Sequence, residues 1–372
     1  MTLPLDGIRI LDISRVLAGP LASMILGDLG ADVIKIERPG TGDDTRGWGP
    51  PFDARGESAY FLSVNRNKLS VAADFDDPTD QALLQSLIAG ADVVLENFRE
   101  GTLERHGLGA GEMLAKHPRL LWCTITGFGL GNRRPGYDFV VQAESGWMAI
   151  TGAPDGGPTK IGVAVVDVLA GKDAAIAILA ALAGGRRGER RLAVSLQHSA
   201  VSALVNVAQN ALVTGADSPR WGNAHASIVP YDLFETADRP MVIAVGSDAQ
   251  FQRCAAALGL DQLAEDATLR TNAGRAAARA HVVGTIAARL RVQPAAQWKS
   301  LLDAAGVPCG LVHSVTEALR EVSASALTGV APVAPGTVRL PPPRLDEHGA
   351  RVRAEGWAAF VRDSASRPAR SP

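Results

Sequence analysis

The sequence predicts an α/β protein in which a parallel sheet, covered on both faces by helices, is followed by a smaller second lobe. Three observations carry that reading. Over the first 130 residues, β-branched runs alternate with helical segments at the spacing of βαβ units. The chain has 372 residues, more than the ~100–200 of one ordinary domain. Hydrophobic residues make up 47% but aromatic ones only 5%, so aliphatic side chains must fill a large core.

Ile8–Ile13 is the first strand, and Gly19-Pro20 leads into a helix at Leu21–Leu29 that Gly30 caps. Asp32–Glu37 is the second strand, and Leu69–Phe75 the third. A helix at Pro78–Ala89 precedes the fourth strand, Asp92–Glu96. Two short helices, Thr102–His106 and Gly111–His117, lead to the fifth, Leu120–Thr126. Continuous apolar strands with short crossovers imply burial of both sheet faces. Val166–Ala183 is a long helix closed by Gly184-Gly185, Arg191–Leu196 a further strand, and His198–Val213 another long helix. Gly, Asp, Ser, Pro and Asn crowd Thr214–Ala226, which marks a lobe boundary. A strand at Met241–Gly246 follows, with helices at Ala249–Leu258, Gly274–Arg291 and Pro294–Ala305. Five prolines in Ala331–Pro343 define an extended linker, and the tail Asp363–Pro372 is expected to fray. The domains are therefore 1–213, 214–330 and 331–372.

Thirty-seven Lys+Arg against 39 Asp+Glu give a charge of −2, which offers no polyanion such as nucleic acid a partner. Only six of the basic residues are lysines, and arginine suits bidentate recognition of a small anion. Cys123, Cys254 and Cys309 lack paired spacing, which fits a reducing cytosol better than a disulfide framework. No run of about 18 uncharged apolar residues exists, so no membrane span is expected and the protein is placed in the cytoplasm. The first strand–helix loop has a single glycine, Gly19, where a dinucleotide fingerprint needs three. Walker and nucleophile-elbow motifs are missing. The seven histidines never recur at i, i+4, and no metal is expected. Cys309 offers a thiol nucleophile, although a buried inert thiol explains it with less.

Asp167 stands out because the flanking segment, Gly162–Gly171, is otherwise uncharged and opens a predicted helix. Apolar neighbours raise a carboxylate's pKa, whereas a helix N-terminus favours the anion. On chain physics alone, an N-cap or first-turn Asp satisfying free backbone amides is favoured over a catalytic one.

Other segments widen that choice. Leu5–Asp12 with Val16–Pro20, Gly27–Gly40, Asn65–Lys68, Glu96–Arg99, Thr126–Gly129, Arg134–Asp138 and Gly222–His225 with Pro230-Tyr231 occur in order from about Leu5 to Val315. Together they resemble the class III CoA-transferases, the CaiB/BaiF family. The resemblance implies a large Rossmann-like domain with an open parallel sheet, a smaller α+β domain, and an interlocked homodimer in which the chain's end returns to the large lobe. It makes Asp167 the nucleophile that carries first the acyl group as an anhydride and then CoA as a thioester. Acyl-CoA and a carboxylic acid are the substrates it implies, with no tightly bound cofactor. Val16 and Ala18 would line the CoA site, and Arg38 and Arg105 would meet phosphates. Asn97, Phe98 and Arg99 would form a wall, with Arg134 and Tyr137 along the pantetheine.

Related α-methylacyl-CoA racemases pair the Asp with a His where this chain has Tyr137, and a phenol at about 10 replaces imidazole near 6.5 poorly. Transfer is therefore favoured over racemisation. A non-catalytic CoA-binding protein would have no need of Asp167. Departures from the family pattern fall at Ala226, at Asp238-Arg239-Pro240 and at Gln197-His198, on the acceptor side. His225 would either meet a substrate carboxylate or serve the fold.

Overall fold

The structure, a computed structural model, describes residues 2–360, so the tail Asp363–Pro372 lies outside the described residues. In chain order the first part comprises β1 (Arg9–Asp12), α1 (Ala18–Asp28), β2 (Asp32–Glu37), α2 (Ala59–Leu62), β3 (Lys68–Ala72) and α3 (Pro78–Gly90). It continues through β4 (Val93–Glu96), α4 (Ala110–Lys116), β5 (Leu121–Thr126), α5 (Asp138–Glu144) and α6 (Trp147–Ile150). Then follow α7 (Val165–Ala183), β6 (Arg191–Ser195), α8 (Leu196–Ser202) and α9 (Val205–Thr214).

The six strands form one parallel sheet in the order β3-β2-β1-β4-β5-β6. Alternation along each strand sorts the core into two layers. Ile10, Leu95 and Cys123 pack under α1 and α7, while Leu11, Val94 and Trp122 pack under α3 and α4. Local chemistry fixes the helix starts. Asp77 accepts the amides of Thr79 and Asp80, each at 2.9 Å, and Pro78 opens α3 without wasting a donor. Strand order reverses between β1 and β4, so the loops after their C-terminal ends flank the crevice where open α/β sheets bind ligands.

A second set of elements is β7 (Tyr231–Phe234), β8 (Met241–Ala244), α10 (Asp248–Ala257), α11 (Asp261–Glu265), α12 (Asn272–Ala277), α13 (Arg279–Leu290), α14 (Ala295–Ala304), β9 (Cys309–Leu311) and α15 (Val315–Ala318). β7-β8-β9 make an antiparallel sheet over its own core around Phe251, Leu290 and Trp298. Beyond the short pair β10 (Ala324–Ser325) and β11 (Gly329–Val330), the proline-rich segment runs along the large sheet. The Asn67 carboxamide accepts the amides of Arg339 (2.6 Å) and Leu340 (2.8 Å) and donates to Thr337 O (2.9 Å). Asp346 takes the Ala72 amide at 2.8 Å on the outer strand, which covers a sheet edge. After α16 (Gly349–Glu355), Trp357 is buried in the core layer of α3 and donates to Leu87 O at 3.0 Å.

Two compact units result. One holds the chain up to Met148, Lys160–Asp217 and everything described from Val322 on; the other holds Ala149–Thr159 and Ser218–Glu321. The Ala149–Thr159 segment groups with the second unit because the Arg220 guanidinium bonds the carbonyls of Ala149 (3.2 Å), Ala153 (3.2 Å) and Gly156 (2.5 Å).

Several predicted elements are divided. His198–Val213 is two helices, α8 and α9, separated where Val205 takes a φ of 43°. Gly274–Arg291 breaks at Ala278, which sits at φ −99° and ψ 24°. The predicted helix Thr102–His106 is one 3-10 turn, Glu104–His106. α5 has no counterpart in the sequence reading, since only Val141 and Gln142 of its seven residues are buried.

Candidate active site

Asp167 lies in the first turn of α7, and one turn further along the same face is Gly171. A Cβ at Gly171 would stand 2.6 Å from Ala18 O, so the missing side chain lets the start of α1 press against α7. That approach sets the loop after β1 beside Asp167, and both line a cleft of about 230 Å³.

The N-cap expectation for Asp167 does not hold. Ala164 precedes α7 without a side-chain cap, and Asp138 of α5 supplies the acceptor in its place. Its Oδ1 accepts the amides of Val166 at 2.8 Å and Asp167 at 3.4 Å. The amides of Val165 and Val168 bond the carbonyls of Val163 and Ala164. The Asp167 carboxylate is thereby released from capping, and among the described residues no hydrogen bond or ion pair reaches it. Burial, and then the negative charge of Asp138, push its pKa up to about 7. Tyr60 of α2 belongs to the same surroundings, its phenol pushed up to about 12 by burial and by Asp167, Asp138 and Asp43.

The expected site residues separate into three groups. Val16 and Ala18, together with Asn97, Phe98 and Arg99 after β4, line the cleft with Asp167, as do Arg134 and Tyr137. Arg38 lines a neighbouring cavity of about 380 Å³, which shares Arg15 and Phe98 with the first. Arg105 lines neither and is exposed on the 3-10 turn.

Their side chains differ in freedom. The Asn97 carboxamide is committed to the backbone of Arg15, accepting its amide at 2.9 Å and donating to its carbonyl at 2.7 Å. Arg134 pairs with Glu144 at 2.6 Å and covers the Phe128 ring at 4.2 Å. Arg38 stands 3.8 Å from Asp44, more than half exposed. Tyr137 is 61% exposed.

Beneath the loop after β1 runs a buried ionic network. Val16 adopts a φ of 71°, and its amide lies 3.2 Å from both carboxylate oxygens of Asp43. Lys35 pairs with Asp43 at 3.0 Å, Lys68 with Asp12 at 3.1 Å, and Arg46 with Glu37 at 2.7 Å and Glu57 at 2.6 Å. Burial alone would raise Asp12, yet Lys68, Lys35 and the hydroxyls of Ser14 and Ser23 hold it at about 2. Glu37 is thus an internal ion-pair partner. In the second unit, His225 accepts the amides of Ser227 (3.0 Å) and Ile228 (3.1 Å) through Nδ1, a structural role. Burial and Asp303 push the Cys309 thiol up to about 11, far from a thiolate nucleophile.

A sequence profile for CoA-transferase family III matches residues 5–356. The chain belongs to that family. Family III CoA-transferases act on CoA thioesters, which agrees with a cleft at the sheet's reversal point lined by the Asp167 carboxylate. Mouse succinyl-CoA:glutarate CoA-transferase is 44% identical over 323 residues, 86% of this chain and 74% of the relative. Succinate–glutarate CoA-transferase of Agrobacterium fabrum is 39% identical over 95% of both chains. A crystal structure of a CaiB/BaiF family protein from Brucella suis superposes with a TM-score of 0.85 at 38% identity, covering 95% of this transferase and 100% of that chain.

Sequence reasoning missed three residues of this site. Asp138 falls inside the Arg134–Asp138 motif, to which the resemblance attaches no role for it, and its spacing of 29 from Asp167 carries no local signal. Tyr60 and Asp43 reach the site only through tertiary packing, although paired acids at Asp43-Asp44 in a glycine-rich stretch were visible.

Proposed function

We propose that this transferase moves CoA from a dicarboxylyl-CoA donor to a carboxylic acid acceptor, with Asp167 as covalent carrier. The observation that carries the reading is the Asp167 carboxylate itself, half-buried, without a partner among the described residues and lining the cleft. A carboxylate near 7 is about half ionised at neutral pH, and its anion is more basic, hence more nucleophilic, than an ordinary one near 3.8.

An Asp167 oxygen attacks the thioester carbonyl, the C–S bond breaks, and CoA leaves as thiolate with a mixed anhydride behind it. The thiolate attacks the Asp167 carboxyl carbon and expels the donor acid, giving an aspartyl–CoA thioester. The acceptor carboxylate attacks that thioester carbonyl and regenerates a thiolate and a second anhydride. The thiolate then takes the acceptor's acyl carbon, and Asp167 leaves as the free carboxylate.

The nucleotide end of CoA fits the cavity holding Arg38, with Phe75 and Phe98 as apolar walls and Arg15 at its junction with the cleft, which Arg99 lines. Succinyl-CoA is the donor suggested by the names of the mouse and Agrobacterium relatives, and glutarate the acceptor. The working unit is an interlocked homodimer. α9 supports a second copy, because it buries none of its residues and exposes Val205, Leu212 and Val213 by 69, 79 and 75%. Three unpaired cysteines fit a cytoplasmic setting.

The test is mass spectrometry and hydroxylamine trapping after incubation with succinyl-CoA. An adduct on Asp167, lost in Asp167→Ala, supports the reading; no adduct with any of a panel of acyl-CoA donors overturns it. Running a chiral 2-methylacyl-CoA in deuterated water separates the racemase, since exchange at Cα without added acid would require it.

A further inference from the structure

α5 is short, but its two polar side chains on the α7 side are fully engaged. Oδ1 of Asp138 takes the Val166 and Asp167 amides, while Oδ2 accepts Nε2 of Gln142 at 2.6 Å, one helical turn on. Gln142 is completely buried, and its Oε1 accepts the Ile161 amide at 2.9 Å. One helix therefore holds both the strand of chain leading to α7 and the first turn of α7. The acceptor it uses is an anion, set against the peptide of the very residue that does the chemistry.

We propose that Asp138 is a positioning residue for the transfer reaction: as an anion it fixes the first turn of α7, and by like charge it disfavours free Asp167 relative to acylated Asp167. The proposal rests on the reading of Asp167 as the covalent carrier. When an Asp167 oxygen attacks the thioester and the C–S bond breaks, the negative charge departs with the CoA thiolate. Asp167 becomes a neutral acyl group, and its repulsion with Asp138 ends. The free carboxylate is the state that Asp138 destabilises, and both covalent states escape that cost.

The surroundings do not cancel the effect. α2 contributes the neutral Tyr60 phenol, and Asp43 is itself paired with Lys35 at 3.0 Å. Among the described residues no cation is paired with Asp167.

Asp138→Asn keeps a cap acceptor and removes the charge; Asp138→Ser is a second neutral cap should the first fold poorly. Two readouts are used: the acid limb of kcat/KM for succinyl-CoA, and the ¹³C-carboxyl titration of Asp167 without substrate. Both are expected to move to lower pH by about one pH unit in the neutral variants, with the melting temperature lowered by a few degrees because buried Gln142 Nε2 loses its acceptor. Asp138→Glu, which retains the charge, should keep the wild-type acid limb. An unmoved ¹³C titration in both neutral variants overturns the proposal. The two readings fail separately. A shifted titration with no adduct on Asp167 sinks the covalent carrier and leaves the charge coupling, whereas an adduct with an unmoved titration does the reverse.

Discussion

Asp43→Ala tests whether the buried ionic network holds the loop that faces Asp167. Asp43 accepts the Val16 amide, the Thr45 amide (3.0 Å) and the Thr45 hydroxyl (2.8 Å), and pairs with Lys35. Val16 at φ 71° is a β-branched residue in the left-handed region, a conformation costing on the order of 1–3 kcal/mol that only its surroundings maintain. Lys35 is fully buried, and without Asp43 it retains one close partner, Ser14 O at 2.8 Å. Breaking one side of a buried pair costs roughly 3–5 kcal/mol, softened here by the nearby charges of Asp12 and Glu37. A loss of about 3 kcal/mol is expected, a melting temperature lower by about 10 °C. Adding Lys35→Met removes the uncompensated charge and should return at least half of that loss. The Val16 peptide stays unclamped in both variants, so KM for acyl-CoA should remain raised while stability recovers. Urea unfolding and steady-state kinetics on the three proteins read these terms apart. Asp43→Ala within about 1 kcal/mol of wild type, or a double variant no more stable than the single, would refute the reasoning.

Gly171→Ala places a methyl against Ala18 O, and overpacking of that kind costs about 1–3 kcal/mol; displacement of α1 from α7 should lower kcat/KM more than Gly184→Ala, measured alongside. With Asp167 near 7 as the ionised nucleophile, kcat/KM for acyl-CoA should fall about tenfold per pH unit below 7, and a flat profile down to pH 5 would contradict that role. The folded-state pKa of Asp12 is depressed to about 2 from 3.8, so its contribution is fully present above about pH 4 and lost between there and pH 2. Glu37 and Asp43 are shifted the same way, against burial, by Arg46 and Lys35. Urea midpoints measured between pH 5 and pH 2 should fall steeply below 4, and Lys68→Met with Asp12→Leu should flatten that fall.

The large sheet was legible because its strands are short, apolar and separated by helices that bury one face, a pattern that survives without tertiary information. Helix division at Val205 and Ala278 was not, since both segments keep helical composition through the break. β7 was missed for the opposite reason: Tyr231–Phe234 has one buried residue and pairs only across the antiparallel sheet. The boundary near Asp217 falls in the composition change at Thr214–Ala226, whereas the one at Val322 lies nine residues before the expected Ala331, and the attachment of Ala149–Thr159 depends on one distant arginine, Arg220.

The site shows a sharper division between which residues matter and what each one does. Motif resemblance pointed to Asn97 and Asp167 alike, yet the two have opposite circumstances. The Asn97 carboxamide spends its donor and acceptor on Arg15, tying the end of β4 to the end of β1, and has little left for a ligand. Asp167 keeps both oxygens free because a residue 29 positions earlier does the capping that helix position alone would have assigned to it. An Asp in a first turn is usually a cap because the unpaired amides of that turn need an acceptor. Once Asp138 meets that need from outside, the same position becomes a desolvated carboxylate with no partner among the described residues, and the reactivity proposed for it would follow from that freedom. On the proposed reading, catalytic character belongs to the pair of helices α5 and α7, which is why no property of the Gly162–Gly171 segment by itself could decide between the two readings of Asp167.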